Sequence, residues 1–259
     1  MTFSMFARLL LALTLVFAGA TAKAGETDGV SLRPAPARVN DLLALQNGAR
    51  LFVNYCLNCH GAQFMRFERL RAIGLTGNQV EKNLMFSAPR LGETMRVAMT
   101  TDQAQDWFGA APPDLSVIER ALGSHRGTGA DFLYTYLTSF YRDDARPTGW
   151  NNLVVPNVAM PNPMWALQGQ RAAQFERVPD PDHPKRTVVQ FVDWKTLTPG
   201  SMSETQYDSE VADLVAYMQW MAEPDQLERK RIGVIVLLFL AVFTFITWRL
   251  KKEYWKDVN

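Results

Sequence analysis

Both cysteines of this 259-residue chain fall within five residues, in Cys56-Leu57-Asn58-Cys59-His60. Two thiols three positions apart on one helical turn can each bond one vinyl group of a single porphyrin. The adjacent histidine then presents its imidazole to the iron. A CxxCH string therefore reads as covalent attachment of one c-type haem. Three rivals use the same letters. A thioredoxin-like pair would start a helix after a strand and would not need His60. A structural zinc would need a fourth ligand, and the other histidines, His125 and His183, stand alone in loop-like sequence. A plain structural disulfide is rarely spaced so tightly.

Two apolar segments bear on where such a motif could mature. Residues 1–24 combine Arg8, the run Leu9 to Phe17 and a small-residue Ala22-Lys23-Ala24 end. The pattern predicts a signal peptide cut after Ala24, with Ala22 as the other option. Ile232 to Trp248 holds 17 residues without a charge, about 25 Å as a helix and near the lower limit for a bilayer. Arg229-Lys230-Arg231 before it and Arg249, Lys251 and Lys252 after it supply interfacial ends. The expected division is a signal peptide over 1–24, an exported domain over 25–227, a transmembrane helix over 228–249 and an inner tail over 250–259. The export signal sets the orientation, with the domain on the periplasmic side of a bacterial inner membrane.

Charge follows this division. The whole chain carries 27 basic and 26 acidic side chains, but residues 25–227 hold 18 and 23, a net of −5. An acidic exported domain favours basic partners and disfavours nucleic acid.

Around the motif, Gly48, Phe52 and Cys56 are each four apart on a helix expected to begin near Asn40-Asp41, with Leu42, Leu45, Ala49 and Phe52 as its apolar stripe. Small Gly48 beside large Phe52 lets a second helix cross closely. The candidate is Tyr207 to Ala222, where Val211, Leu214, Val215, Met218 and Met221 recur at helical period. A further stripe, Leu133, Tyr136, Leu137 and Phe140, predicts a helix from about Ala130-Asp131. Pro112-Pro113-Asp114 reads as a turn into a helix, Gly127-Thr128-Gly129 as a turn, Arg177 to Lys185 as a loop and Val188 to Trp194 as a short strand. The fold class is mainly α: a c-type cytochrome fold with long loop insertions plus one C-terminal transmembrane helix.

The sixth iron ligand must come from the eleven methionines or the histidines. Most methionines read as core filler. Met160 differs because Pro156, Pro161 and Pro163 stiffen an irregular apolar loop around it, which could hold a thioether against iron. Met164, in the same loop, is the second candidate.

Together these residues carry a resemblance. Cys56-x-x-Cys59-His60, Pro112-Pro113-Asp114-Leu115-Ser116, Asn157-Val158-Ala159-Met160-Pro161 and Tyr217-x-x-Trp220-Met221-x-Glu223-Pro224, in this order before a C-terminal span, resemble cytochrome c1, the haem subunit of the cytochrome bc1 complex. The resemblance runs from about Pro36 to Val258. It implies thioethers at Cys56 and Cys59, His60 as proximal ligand and Met160 as distal ligand to one haem c. It implies single electrons passing from a Rieske iron–sulfur protein to a c-type cytochrome during quinol oxidation in the respiratory chain. Cytochrome b would be a further partner, in a dimeric complex. The chain would then be no enzyme on its own, with no catalytic residues. The family's propionate-pairing arginine would fall at Leu122, whereas the available base is Arg120. Two other readings are a stand-alone anchored carrier to a terminal oxidase and a zinc- or thiol-based extracytoplasmic module.

Overall fold

The computed structural model describes residues 30–97, 99–179 and 187–257. The expected signal peptide lies outside them, as do His183 and most of the expected loop over 177–185. The chain divides into a unit over 1–31 and a second, Leu32–Asn259, which carries every element below.

In chain order the elements begin with α1 (Leu42–Leu51), a π-helical turn (Phe52–Cys56), β1 (Ala62–Arg66), a 3-10 turn (Phe67–Ile73) and α2 (Gly77–Asn83). There follow β2 (Thr94–Met95), α3 (Thr101–Phe108), the single turn α4 (Ile118–Ala121) and α5 (Gly129–Leu137). The C-terminal half contains β3 (Phe140–Arg142), β4 (Trp150–Asn152), the short α6 (Trp165–Gln168), β5 (Gly169–Pro179), β6 (Thr187–Pro199), α7 (Glu204–Ala222) and α8 (Gln226–Tyr254). The strands form three separate antiparallel pairs, β1–β2, β3–β4 and β5–β6. The fold is mainly helical, as expected.

Asp41 starts α1 where the sequence placed it: its carboxylate accepts the amides of Leu43 at 2.9 Å and Ala44 at 3.3 Å. Ser203 does the same for α7 with a reciprocal capping box to Gln206. The two helices cross at Gly48. A Cβ there would lie 2.1 Å from the Asp213 carbonyl oxygen and 2.6 Å from the Tyr217 Cβ, so only glycine permits the approach. Phe52 packs on Tyr217 with ring centroids 5.5 Å apart, and Val211, Leu214, Val215, Met218 and Met221 are all buried. Leu42 departs from the expected stripe: it is 52% exposed, because it is the first helical residue and lies beyond the crossing.

α5 begins at Gly129, capped by Thr128 two residues before the expected Ala130, and Asp131 is the reciprocal partner in the box rather than the start. Phe140 belongs to β3, not to the helix. The Gly127-Thr128-Gly129 turn has a packing reason: a Cβ on Gly129 would overlap the Glu119 carbonyl oxygen at 1.6 Å.

The largest departure is the β5–β6 hairpin. A short strand over Val188 to Trp194 is instead a 13-residue strand, Thr187–Pro199, and it pairs with an 11-residue strand whose Gly-Gln-Arg-Ala-Ala-Gln-Phe-Glu-Arg lettering carries little strand preference. β5 continues through Pro179, past Arg177 where the loop was expected to begin. Tertiary contacts supply what propensity lacks. The Arg171 guanidinium donates to the Phe140 carbonyl at 3.1 Å and to that of Thr138, and it stacks 3.7 Å over the Trp194 ring.

α8 spans 29 residues, about 43 Å. It is long and apolar enough to cross a membrane, and none of its residues is buried.

Candidate haem site

The π turn places the first thiol. The wider winding over Phe52–Cys56, closed by the Leu57 amide on the Phe52 carbonyl at 3.0 Å, ends α1 with Cys56 buried against a cavity. The next turn is held by the amides of Cys59 and His60, both donating to the Cys56 carbonyl at 3.0 and 2.9 Å. Both thiols are free. Burial pushes the Cys56 thiol up to about 12, Cys59 adding to it, and burial raises Cys59 as well. A dithiol used for exchange chemistry is shifted the other way.

His60 Nδ1 lies 2.8 Å from the carbonyl oxygen of Pro113. A carbonyl only accepts, so Nδ1 carries the proton and donates, and Nε2 keeps its lone pair for a metal. Burial pulls the imidazole below its usual range, while the Pro113 carbonyl and the Asp114 charge partly oppose this. The neutral ring is the ligating form.

Pro113 is itself anchored. Asp114 accepts the Gln63 amide at 2.8 Å through one carboxylate oxygen and the Ser116 amide at 2.9 Å through the other. The Ser116 hydroxyl accepts the Phe64 amide at 3.0 Å, and the Leu115 amide donates to the Gly61 carbonyl at 2.8 Å. The Pro112–Ser116 segment is thus stitched to the residues just after the motif.

The cavity measures about 420 Å³ and its walls are largely apolar. Tyr55, Cys56, Cys59 and His60 line one stretch, Ile118, Leu122, Phe132 and Tyr136 another, and Val155, Val158, Met160 and Pro163 a third. The Met160 loop hangs on two buried asparagines of β4 that sequence reasoning did not single out. Asn152 accepts the amides of Val154 at 2.9 Å and Val155 at 3.2 Å, and Asn151 accepts that of Asn157 at 2.8 Å. Asn157 adopts a left-handed backbone, φ 65°, which asparagine tolerates better than most residues. Nothing in the string Trp-Asn-Asn distinguishes these side chains from ordinary turn formers.

Of the two expected thioether donors, Met160 faces the cavity. Met164 does not line it and is 1% exposed within the core. Met218 also reaches the wall, as part of the buried stripe of α7. Arg120 pairs with Glu223 at 3.7 Å, and Leu122 lines the cavity in the place expected for a propionate-pairing base. Among the described residues no Arg or Lys lines this cavity. Nor do any three His, Cys, Asp or Glu side chains among them gather as a structural zinc requires. A wider surface groove running from Phe64 to Asp225 contains no cysteine, histidine or Met160 in its walls.

An apolar slot with two thiols, one oriented imidazole and one thioether at its walls fits haem c by its donor chemistry. Comparison with known proteins agrees: the model of the Cytochrome C1 family matches residues 35–258. The chain belongs to the cytochrome c1 family. It is similar to cytochrome c1 of Allochromatium vinosum, 39% identical over 97% of this chain and all of that one. It is also similar to a Nitrosomonas europaea protein named ammonia monooxygenase gamma subunit, 42% identical over 89% of this chain and 90% of that one. Cytochrome c1 of Rhodospirillum rubrum is 28% identical over 83% of this chain and 82% of its own length. The cytochrome c1 family supplies the haem subunit of the bc1 complex, an electron-transfer component that carries haem c.

Proposed function

We propose that this chain holds one haem c by thioethers at Cys56 and Cys59, with His60 and Met160 as axial ligands, and passes single electrons from a Rieske iron–sulfur protein to a c-type cytochrome. The observation that carries the reading is His60, its Nδ1 committed to Pro113 and its Nε2 left free beside two free thiols in an apolar cavity. Haem bound there supplies a one-electron ferric–ferrous couple.

The protein's own residues do the rest. The Pro113 carbonyl fixes the tautomer and plane of His60. The proline-stiffened loop presents Met160, a soft donor that raises a haem's potential relative to histidine. Leu115, Ile118, Leu122 and Phe132 exclude water, which limits solvent reorganisation when charge changes. With His60 and Met160 both holding the iron, the bound haem would keep no place for oxygen or another substrate, and the chain would act as a carrier within a quinol-oxidising complex rather than as an enzyme by itself.

The same reading places residues 25–227 on the periplasmic side of a bacterial inner membrane, after removal of 1–24, with 228–249 as the single span and 250–259 inside. Cytochrome b and the Rieske protein would be its partners in a dimeric complex. The Nitrosomonas protein is also similar over most of this chain. The cytochrome c1 of Allochromatium covers more of this chain, and the family model covers nearly all of the exported domain and the span.

The deciding experiment is a visible spectrum of the purified mature protein. A reduced c-type α-band that survives acid–acetone extraction is expected. A colourless protein, or a chromophore that extracts, overturns the reading. Co-purification with quinol-oxidising activity separates the complex subunit from a carrier working alone.

A further inference from the structure

Tyr136 projects from α5 into the cavity wall, and its hydroxyl lies 3.3 Å from the Met160 sulfur. That sulfur is the hydroxyl's one hydrogen-bond acceptor among the described residues. The ring has little freedom to leave: Phe132 stacks on one side, with centroids 6.2 Å apart and planes 15° from parallel, and Phe140 meets it edge-on at 5.0 Å. A phenol keeps its proton at neutral pH, so the group is a donor.

Donor and acceptor are also indexed to each other through the backbone. Asn152 donates its side-chain amide to the Tyr136 carbonyl at 2.8 Å while its side-chain oxygen accepts the amides of Val154 and Val155, at the root of the Met160 loop. One buried asparagine therefore fixes both the helix bearing Tyr136 and the loop bearing Met160.

We infer that Tyr136 is a positioning residue whose hydroxyl donates to the Met160 thioether and raises the potential of the haem iron. This rests on Met160 being the distal ligand. A thioether sulfur has two lone pairs. Donation from Tyr136 engages one, directs the other toward the metal and withdraws electron density from it. The ferric state depends more on that density than the ferrous state, so it is destabilised relative to ferrous.

The test uses the full-length haem-loaded protein in its membrane complex, with Tyr136→Phe, which removes one oxygen and keeps the ring. Two signals are read: the midpoint potential, and the long-wavelength charge-transfer band of a thioether-ligated ferric haem. The band should persist while the ferric-to-ferrous ratio at a fixed applied potential rises about threefold to tenfold, a fall of about 30–60 mV for a one-electron couple. Tyr134→Phe, whose hydroxyl accepts from Arg33 instead, should change neither signal. A Tyr136→Phe protein with an unchanged midpoint overturns the inference, and so does an equal shift in Tyr134→Phe, which would mark a packing effect of the helix. If instead the band survives Met160→Leu, it is the ligand assignment beneath the inference that has failed.

Discussion

Gly48 and Tyr217 approach so closely that a methyl group on Gly48 would sit 2.6 Å from the Tyr217 Cβ and 2.1 Å from the Asp213 carbonyl oxygen. The obstruction is backbone and Cβ, neither of which can swing aside. Gly48→Ala should therefore cost about 2–3 kcal/mol, at the upper part of the overpacking range. The urea midpoint of the mature protein measures it, and a change under about 0.5 kcal/mol would show that the helices separate freely.

The contacts below His60 predict a functional rather than a global defect. Asp114→Ala removes the acceptors for the Gln63 and Ser116 amides and loosens the Pro113 carbonyl that orients the imidazole. Loss of such outer partners typically costs about 10–100-fold in metal affinity or activity. A high-spin fraction in the ferric spectrum, with thioether attachment intact, is the expected sign. A fully low-spin spectrum at the wild-type potential would refute the proposed role of Asp114.

The two candidate thioethers separate by substitution. Met160→Leu should abolish the low-spin methionine spectrum or lower the potential, because it removes the donor at the cavity wall. Met164→Leu is a volume-conserving change in the core and should cost under about 1.5 kcal/mol with no spectral change. The reverse pattern would transfer the role to Met164.

Acid should weaken the packing of the strap that precedes α1. Burial would raise the Asp131 carboxyl, but the Ala35 amide, at 2.7 Å, and the amide and hydroxyl of Thr128 more than offset this and hold it below the usual range. Because the folded value lies below the unfolded one, this stabilisation is complete above the unfolded carboxylate value near pH 4 and fades as pH falls through the folded value. Asp131→Ala should lower stability by about 1 kcal/mol at neutral pH, a typical cap contribution, and flatten the loss as pH falls below about 4. Parallel stability–pH curves for the two proteins would contradict this.

Residues 25–227 carry a net charge of −5, which predicts steering of a basic acceptor. The second-order rate of electron transfer to a basic c-type cytochrome should fall as ionic strength rises from about 0.01 to 0.15 M, where the screening length shortens from about 30 to 8 Å. A rate independent of salt would remove the charge argument.

What could be read from the letters alone follows the range of the forces involved. α1, α5 and α7 were legible because caps and 3.6-residue periodicity are local, and the Cys56–His60 string stood out because two thiols and a histidine meet within five residues. The β5–β6 hairpin was not, since its register depends on Arg171 reaching Phe140 and Trp194, contacts of 31 and 23 residues' separation. The same holds for the cavity: Asn151, Asn152 and Tyr136 look like turn and core residues until the fold brings them to the Met160 loop. Arg120 shows the converse, a base at nearly the expected spacing whose partner proves to be Glu223.

The crossing of α1 by α7 also orders events in time. The helix that leads into Cys56 is covered by a segment more than 150 positions further along, so during synthesis it must wait with its thiol-bearing end uncovered. Docking of α7, through Val211, Leu214, Val215, Met218 and Met221, completes the cover of that helix only at the end.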